Sequence, residues 1–168
     1  GLVVAPTREL ALQIEESLRA IGGRLGLRTV VLIGGLSLGP QRQALFRNPH
    51  VIIATPGRLI DHLNQKNIRL NDVGIAVLDE ADRMLDMGFL PQIQRILKEL
   101  PRERQFMLFS ATMPPEIMRI ASSYMKLPIR VEIAPAGTTV ENVTQELFIV
   151  SKEQKNALLI KLLETYQG

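Results

Sequence analysis

The sequence predicts an α/β fold in which helices cover both faces of a mostly parallel sheet. Short runs rich in β-branched residues alternate along the chain with stretches of helical periodicity, and this order is typical of βαβ units. Runs such as TVVLI at 29–33 and HVIIA at 50–54 lack a polar alternate face. Strands of that kind are buried on both sides, so helices are expected above and below the sheet.

The predicted elements follow one another in this alternating order from the first residues. Strands are expected near 1–5, 29–33, 51–54, 73–78, 105–109 and 129–133. Helices are expected near 8–22, 39–47, 57–65, 91–100 and 115–125. Apolar residues at helical spacing support two of these helices, through Leu10, Ile14, Leu18, Ile21 and Leu25 in one and Ile93, Ile96, Leu97 and Leu100 in the other.

The chain is predicted to contain one domain, a linker and the beginning of a second domain. The domain is expected over 1–133, and the linker over 134–143, where periodicity is lost and Pro, Gly and Thr accumulate. Beyond the linker, TQELFIV predicts a strand, and Ser151 with Gln154 predicts a helix that begins with a capping box. One strand and one helix do not bury a core. Residues 144–168 are therefore expected to open a second domain.

Composition excludes several classes of function. The chain has no cysteine, which excludes disulfides, zinc–thiolate sites and thiol nucleophiles. It has neither a signal-peptide pattern nor an apolar run of the roughly 20 residues that a bilayer requires, so a cytoplasmic protein with no membrane partner is expected. The net charge of +3 favours an anionic partner. With 4% aromatic residues and no Trp, a nucleic acid would be held through its backbone and not by base stacking.

Acidic side chains follow the fourth predicted strand at the point where it ends. The stretch IAVLDEADRML places Asp79, Glu80 and Asp82 there, and ligands of open parallel sheets bind beyond the carboxyl ends of the strands. Asp79 is a candidate for holding hydrated Mg²⁺ at nucleotide phosphates, and Glu80 for orienting or deprotonating an attacking water. The alternative is that Asp79 or Asp82 caps a helix, with Glu80 favoured by the dipole of the first turn.

Two other strand ends are followed by helix N-termini that carry an arginine. PTREL contains Thr7 and Arg8, and ATPGR contains Thr55 and Arg58. Helix N-termini bind phosphate groups, although capping by the two threonines explains part of the pattern equally well. Capping does not explain Arg58, because a cation near a helix N-terminus is disfavoured by the macrodipole. A bound anion would remove that conflict.

These motifs together resemble those of the DEAD-box ATP-dependent RNA helicases. VLDEADRMLDMGF at 77–89 is similar to motif II of that family. PTRELALQ, the Gly34–Gly35 pair, TPGRLIDHL and SAT at 110–112 occur in the family's order and with the spacing of its first RecA-like domain. The resemblance covers nearly the whole chain, with the residues after the linker similar to the start of the second domain. The linker and tail further resemble those of a bacterial-type member.

The resemblance implies a RecA-like three-layer αβα fold and an enzyme that uses ATP and Mg²⁺ to separate RNA duplexes. It implies a catalytic role for Glu80 and Asp79, with Asp79 holding Mg²⁺ through water. The residues implied in RNA binding are Thr7, Arg8, Gly35, Thr55, Gly57 and Arg58. The residues implied in coupling ATP to RNA are Asp82, Ser110 and Thr112. For Ser110 and Thr112, simple helix capping is the alternative. Backbone contacts predict weak sequence preference and salt-sensitive affinity.

The sequence lacks the loop that cradles nucleotide phosphates. The pattern G-x-x-x-x-G-K-[ST] does not occur, and GGRLGLR at 22–28 has neither the lysine nor the hydroxyl. The chain begins with Gly1 inside an apparent strand, so the expected fold is one without the P-loop strand. The segment alone is expected to be inactive, and an uncovered sheet face is expected to favour self-association.

Three expectations remain beside the helicase interpretation. A non-catalytic RNA-binding module or degenerate helicase would lack the phosphate loop altogether, and a DNA-directed translocase would share the same ATPase core.

His50 and His62 have no metal-ligand spacing with other candidates, so both are predicted to be ordinary surface or turn residues.

Overall fold

The computed structural model describes residues 1–132 and 146–166. The chain divides into two compact units, Gly1–Val131 and Glu132–Gly168. The predicted linker, 134–143, lies outside the described residues, so the division into domain, linker and second domain stays a prediction.

Parallel strands form the sheet of the first unit. In the described part of the chain they are β1 (Leu2–Val4), β2 (Thr29–Leu32), β3 (Val51–Ala54), β4 (Ile75–Leu78) and β5 (Gln105–Leu108). Their order is β2-β3-β1-β4-β5, and every neighbouring pair is parallel. The register places Val4 of the central strand beside Ala54 and Leu78. The predicted parallel sheet is thus confirmed.

Helices follow the strands as the alternating pattern predicts. They are α1 (Arg8–Gly22), α2 (Leu38–Leu45), α3 (Pro56–Asn64), α4 (Ala81–Asp86), α5 (Leu90–Glu99), α6 (Pro115–Tyr124) and, in the second unit, α7 (Lys155–Thr165). A proline in the first turn begins α3, α5 and α6, where a missing N–H costs nothing. The short α4 is absent from the predicted helices, because six residues are too few to show a helical period.

Two apolar clusters lie on opposite faces of the sheet, and each packs helices against it. The larger cluster contains Leu2 and Val4 of β1 and side chains of α2 to α6. Val3, whose side chain points the other way, packs with the smaller cluster of Ala5, Ala11, Ile33 and Ile53 under α1. Helices therefore lie on both faces, and the fold is a three-layer αβα sandwich.

Four local predictions are wrong. Ile21, in the last turn of α1, and Leu25, in the 3₁₀ turn before Gly26, are exposed at 78% and 87%. Residues 129–132 and 146–150 form no strand. A strand forms only as part of a ladder with a neighbouring strand, and the ladders of the described residues join strands β1 to β5.

The helix of the second unit begins differently from the predicted capping box. Ser151 precedes a 3₁₀ turn, Lys152–Gln154, that leads into α7, and its side chain makes no cap hydrogen bond. The amide of Gln154 donates instead to the carbonyl of Ser151 at 3.1 Å. Among the helices of the described residues, none is both long and apolar enough to cross a membrane.

Candidate functional site

The residues singled out from the sequence all lie at one edge of the sheet. Each follows the last residue of a strand by at most four positions. Because the strands are parallel, their carboxyl ends meet at that edge. The residues predicted to bind RNA follow the neighbours β2, β3 and β1, whereas those predicted for catalysis and coupling follow the neighbours β4 and β5. The strand order thus places the two groups side by side.

Asp79 and Glu80 lie at the end of β4 and do not cap α4. Asp79 Oδ1 accepts a hydrogen bond of 3.0 Å from the amide of Glu80, and α4 has no side-chain cap. Glu80 occupies the left-handed region, with φ of 49° and ψ of 54°, which is uncommon for a residue other than glycine. Its carboxylate pairs with Arg83 at 3.1 Å. Backbone strain of this kind occurs at functional sites, and the simple capping interpretation is wrong here.

Asp82 joins the DEAD segment to the SAT segment. Its Oδ2 accepts hydrogen bonds of 2.8 Å from both the amide and the hydroxyl of Thr112. Ser110 Oγ in turn accepts the amide of Asp82 at 3.0 Å. The three residues predicted to couple ATP to RNA are therefore in direct contact, although 28 and 30 positions separate them along the chain.

The same contacts set the charge of Asp82. Partial burial raises the pKa of its carboxyl, but the hydrogen bonds from Thr112, Ser110 and Arg83 stabilise the ionised form and outweigh it. The net result is a pKa below the ordinary value of 3.8. The carboxylate is therefore charged at neutral pH and remains an acceptor for Thr112.

The donor set at the end of β4 fits a hydrated magnesium ion. The described residues contain no cluster of three or more metal-ligating side chains. Mg²⁺ usually keeps several waters and binds through one or two carboxylates and substrate phosphates, so a cage made only of protein groups is not required. Asp79 Oδ2 makes no hydrogen bond to another described residue, which leaves it available for such water-mediated binding.

A short loop, residues 33–37, follows β2 and accepts hydrogen bonds from Arg8 and Arg58. We call it the glycine loop. Arg8 Nη1 donates to the carbonyl of Gly34 at 3.4 Å, and Arg58 Nη1 donates to the carbonyl of Leu36 at 2.8 Å. Gly35 has φ of 79°, and a Cβ there would collide with the Arg8 guanidinium. The positive φ favours glycine at this position, whereas the Arg8 guanidinium, at the end of a flexible exposed side chain, can move aside.

Arg58 is held differently from the exposed Arg8. Its side chain is nearly buried, and Nε lies 3.4 Å from Asp61 Oδ2, an ion-pair distance without hydrogen-bond alignment. The unfavourable position of this cation near the N-terminus of α3 is thus offset within the chain by the Asp61 carboxylate and by the Leu36 carbonyl of the glycine loop. Arg58 links α3 to the glycine loop.

The remaining predicted RNA contacts occupy the starts of α1 and α3. Thr7 Oγ1 accepts the amide of Leu10 at 3.2 Å, so Thr7 caps α1 as the alternative predicted. Thr55 is buried at the N-terminus of α3 without a side-chain cap bond. Around Gly57 there is open space, which permits close approach by a ligand backbone.

Sequence reasoning missed two buried polar residues behind the glycine loop. His62 is fully buried, so the prediction of a surface or turn position is wrong for it, whereas His50 is exposed as predicted. His62 lies 3.4 Å from Gln41, which is also buried and donates to the carbonyl of Ile33 at 3.1 Å. Both residues sit on helices at positions that a hydrophobic period assigns to the core, and that is the signal that could have found them.

The site residues line neither of two cavities found in the described part of the chain. Cavities of about 270 and 590 Å³ lie at the opposite edge, near the residues that precede β2 and β4. Their linings include Arg28 and Thr29 in one and Ile68 and Asn71 in the other.

This combination defines a class of protein. Parallel strands present an acidic cluster on one half of the edge and an arginine-held glycine loop on the other, as in α/β domains that handle phosphate-bearing ligands at strand ends. The family model described as DEAD/DEAH box helicase matches residues 1–120. The chain belongs to the DEAD/DEAH box helicase family.

Curated relatives cover the whole chain. The ATP-dependent rRNA helicase RRP3 of Debaryomyces hansenii is 44% identical over 100% of this chain and 35% of its own length. The DEAD-box ATP-dependent RNA helicase CshA of Bacillus subtilis is 45% identical over 98% of this chain and 33% of its own length. The chain thus spans about a third of these relatives. A yeast and a bacterial relative match equally well, so identity does not favour a bacterial-type member.

Solved structures give the same result for the fold. A hypothetical ATP-dependent RNA helicase from Sulfolobus tokodaii superposes with a TM-score of 0.72 at 36% identity, over 75% of this chain and 38% of that one. The yeast DEAD-box splicing factor Prp28 gives a TM-score of 0.71 at 35% identity, over 74% of this chain and 30% of that one. The RecA-like prediction is confirmed for the fold.

Proposed function

We propose that this chain is a segment of an ATP-dependent RNA helicase that couples ATP binding and hydrolysis to local unwinding of RNA duplexes. The observation that carries the proposal is the contact of Asp82 with Thr112 and Ser110. It joins the acidic cluster at the end of β4 to the segment that follows β5. A movement of Asp82 would therefore also move the segment that follows β5, through its hydrogen bonds to Thr112 and Ser110.

The acidic residues supply the catalytic half of this function. We assign Asp79 to a magnesium ion held through water and Glu80 to the orientation or deprotonation of the attacking water. The magnesium ion, when bound with ATP, neutralises charge on the phosphates. Arg83 pairs with the Glu80 carboxylate at 3.1 Å, and this contact helps to hold the carboxylate at the end of β4.

The glycine loop and the starts of α1 and α3 supply the RNA half. We assign Thr7, Arg8, Gly35, Thr55, Gly57 and Arg58 to the sugar-phosphate backbone of one RNA strand. Open space at Gly57 and the exposed guanidinium of Arg8 support this assignment. Contacts of this kind position a strand without reading its bases, so weak sequence preference and strong salt dependence follow.

The test is ATP turnover by the full-length helicase that carries this segment. Glu80→Gln should lower the RNA-stimulated rate at least about 100-fold, the contribution typical of general acid–base catalysis, with RNA binding retained. Glu16→Gln removes an exposed carboxylate of α1 and should leave the rate unchanged. Full turnover in Glu80→Gln would contradict the proposal. ATP turnover that is stimulated by DNA in place of RNA would indicate a DNA-directed translocase. Absence of ATP turnover in the wild type would indicate a non-catalytic module.

We further propose that the 168 residues alone do not hydrolyse ATP and that they self-associate. Ile75 and Phe109, on the sheet face that α1 leaves open, are 46% and 54% exposed, which supports contact between copies. Size-exclusion chromatography at increasing concentration should show earlier elution. A concentration-independent monomer would count against this.

We place the full-length protein in the cytoplasm. This chain has no cysteine, which is compatible with the reducing environment there.

A further inference from the structure

Side chains from three helices hold nearly every carbonyl of the glycine loop. The exposed Arg8 donates to the carbonyl of Gly34, and the nearly buried Arg58 donates to that of Leu36. Gln41 holds the two ends of the loop from inside the protein, since its Nε2 donates to Ile33 at 3.1 Å and reaches the carbonyl of Ser37 at 3.5 Å. These donors therefore restrain the loop between the end of β2 and Ser37, the N-cap of α2.

The orientation of Gln41 is fixed in turn by His62. Because Gln41 Nε2 faces the loop, its Oε1 faces His62 Nε2 at 3.4 Å and acts as the acceptor. His62 Nε2 then carries the proton, and Nδ1 is free to accept from Asn67 Nδ2 at 3.2 Å. Every donor in this chain of hydrogen bonds meets an acceptor when His62 is neutral. Burial, and next the charge of Arg58, lower the pKa of His62 and favour that neutral form.

We propose that Gln41 and His62 are positioning residues for RNA binding: without touching RNA, they set the conformation of the glycine loop and thereby the affinity for an RNA backbone. The inference rests on the proposed function, because the loop is assigned to RNA there. Both residues are buried, so neither is available to contact a ligand directly. Their effect is transmitted through the carbonyls of Ile33 and Ser37.

The decisive comparison uses two glutamines of α2. Gln41→Glu keeps the shape and the acceptor toward His62 but removes the donor to Ile33. Gln43→Glu introduces the same charge on the same helix at an exposed position. For the full-length helicase, we measure the concentration of a single-stranded oligoribonucleotide that half-saturates ATP turnover, the maximal rate and the KM for ATP.

Gln41→Glu should raise the half-saturating RNA concentration about tenfold relative to Gln43→Glu, as for the loss of one hydrogen bond. The maximal rate and the KM for ATP should stay within about twofold of those of Gln43→Glu. Equal half-saturating RNA concentrations for Gln41→Glu and Gln43→Glu would overturn the inference. A parallel loss of ATP binding and RNA binding would also overturn it, since a purely structural role predicts that result.

Two variants of His62 keep the proposal testable if Gln41→Glu fails to fold. His62→Gln retains a donor toward Gln41 and should preserve RNA affinity, whereas His62→Leu removes the donor and should weaken it. Equal RNA affinity of these two variants would refute the positioning role. Hydrogen exchange of the amides of 34–37 gives a readout that needs no RNA, and faster exchange in His62→Leu than in His62→Gln is expected. If the wild type shows no response to RNA, the proposed function fails, and the exchange result alone decides whether the buried pair holds the loop.

Discussion

Removal of the Thr112 hydroxyl tests the contact on which the proposed coupling depends. Thr112→Val keeps the β-branched shape but deletes one of the two 2.8 Å hydrogen bonds to the Asp82 carboxylate. Hydrogen bonds to charged groups contribute about 1.5–3 kcal/mol. Because Thr112 is exposed and Asp82 only partly buried, the lower end applies, and we expect the free energy of unfolding to fall by about 1.5 kcal/mol.

The assay is urea unfolding of the chain at pH 7, with Thr112→Ser as the matched control. Serine retains the hydroxyl donor, so its unfolding midpoint should lie near that of the wild type. The midpoint of Thr112→Val should be lower by roughly 1 M, for the m-values usual in urea. Equal midpoints for the serine and valine variants would show that the hydroxyl contributes nothing to stability.

The pH dependence provides a second check on the same contact. In the folded protein the pKa of Asp82 lies below its ordinary value of 3.8, so its hydrogen bonds stabilise the fold above pH 3.8. That stabilisation is lost as the pH falls through the lowered pKa. The difference between Thr112→Val and the wild type should therefore shrink as the pH is lowered from 7 to about 3. A difference that stays constant over this range would refute the assignment to the ionised carboxylate.

Three further predictions concern the glycine loop and its arginines. Gly35→Ala should lower the free energy of unfolding by about 1–2 kcal/mol, because φ is 79° there, whereas Gly57→Ala in open space should not, and thermal unfolding separates them. Arg8→Gln should reduce the slope of log affinity for RNA against log salt by about one and leave the melting temperature unchanged. Arg58→Gln should lower the melting temperature as well, because the nearly buried Arg58 loses a 2.8 Å bond to Leu36 and its ion pair with Asp61, whereas the exposed Arg8 loses only a 3.4 Å bond to Gly34.

The fold could be predicted from the sequence because its signal is local. The apolar runs of β1 to β5 and the helical periods of α1 and α5 depend only on neighbouring residues, and they gave the order of elements and the parallel sheet. Predictions failed where a segment depends on distant partners. The run TQELFIV has strand composition, but in its described part, 146–150, no neighbouring strand supplies backbone hydrogen bonds.

The candidate site divides in the same way. The positions of Asp79, Glu80 and the two arginines at strand ends follow from the order of motifs. The pairing of Asp82 with Thr112 does not, since it requires β4 and β5 to be neighbours in the sheet. His62 shows most clearly what the sequence does not predict. Nothing in the sequence around His62 indicates that Gln41, 21 positions earlier, contacts it in the fold.

The sequence by itself determined the family, the elements and the residues that end each strand, since these are properties of composition and spacing. Only the tertiary structure decided which of those residues touch. The strand order brings the ends of β2, β3 and β1 together on one half of the edge and those of β4 and β5 on the other. It also turns Gln41 and His62 inward behind the glycine loop. The physical reason is that hydrogen bonds and burial act over a few ångströms in space, and packing alone fixes those distances.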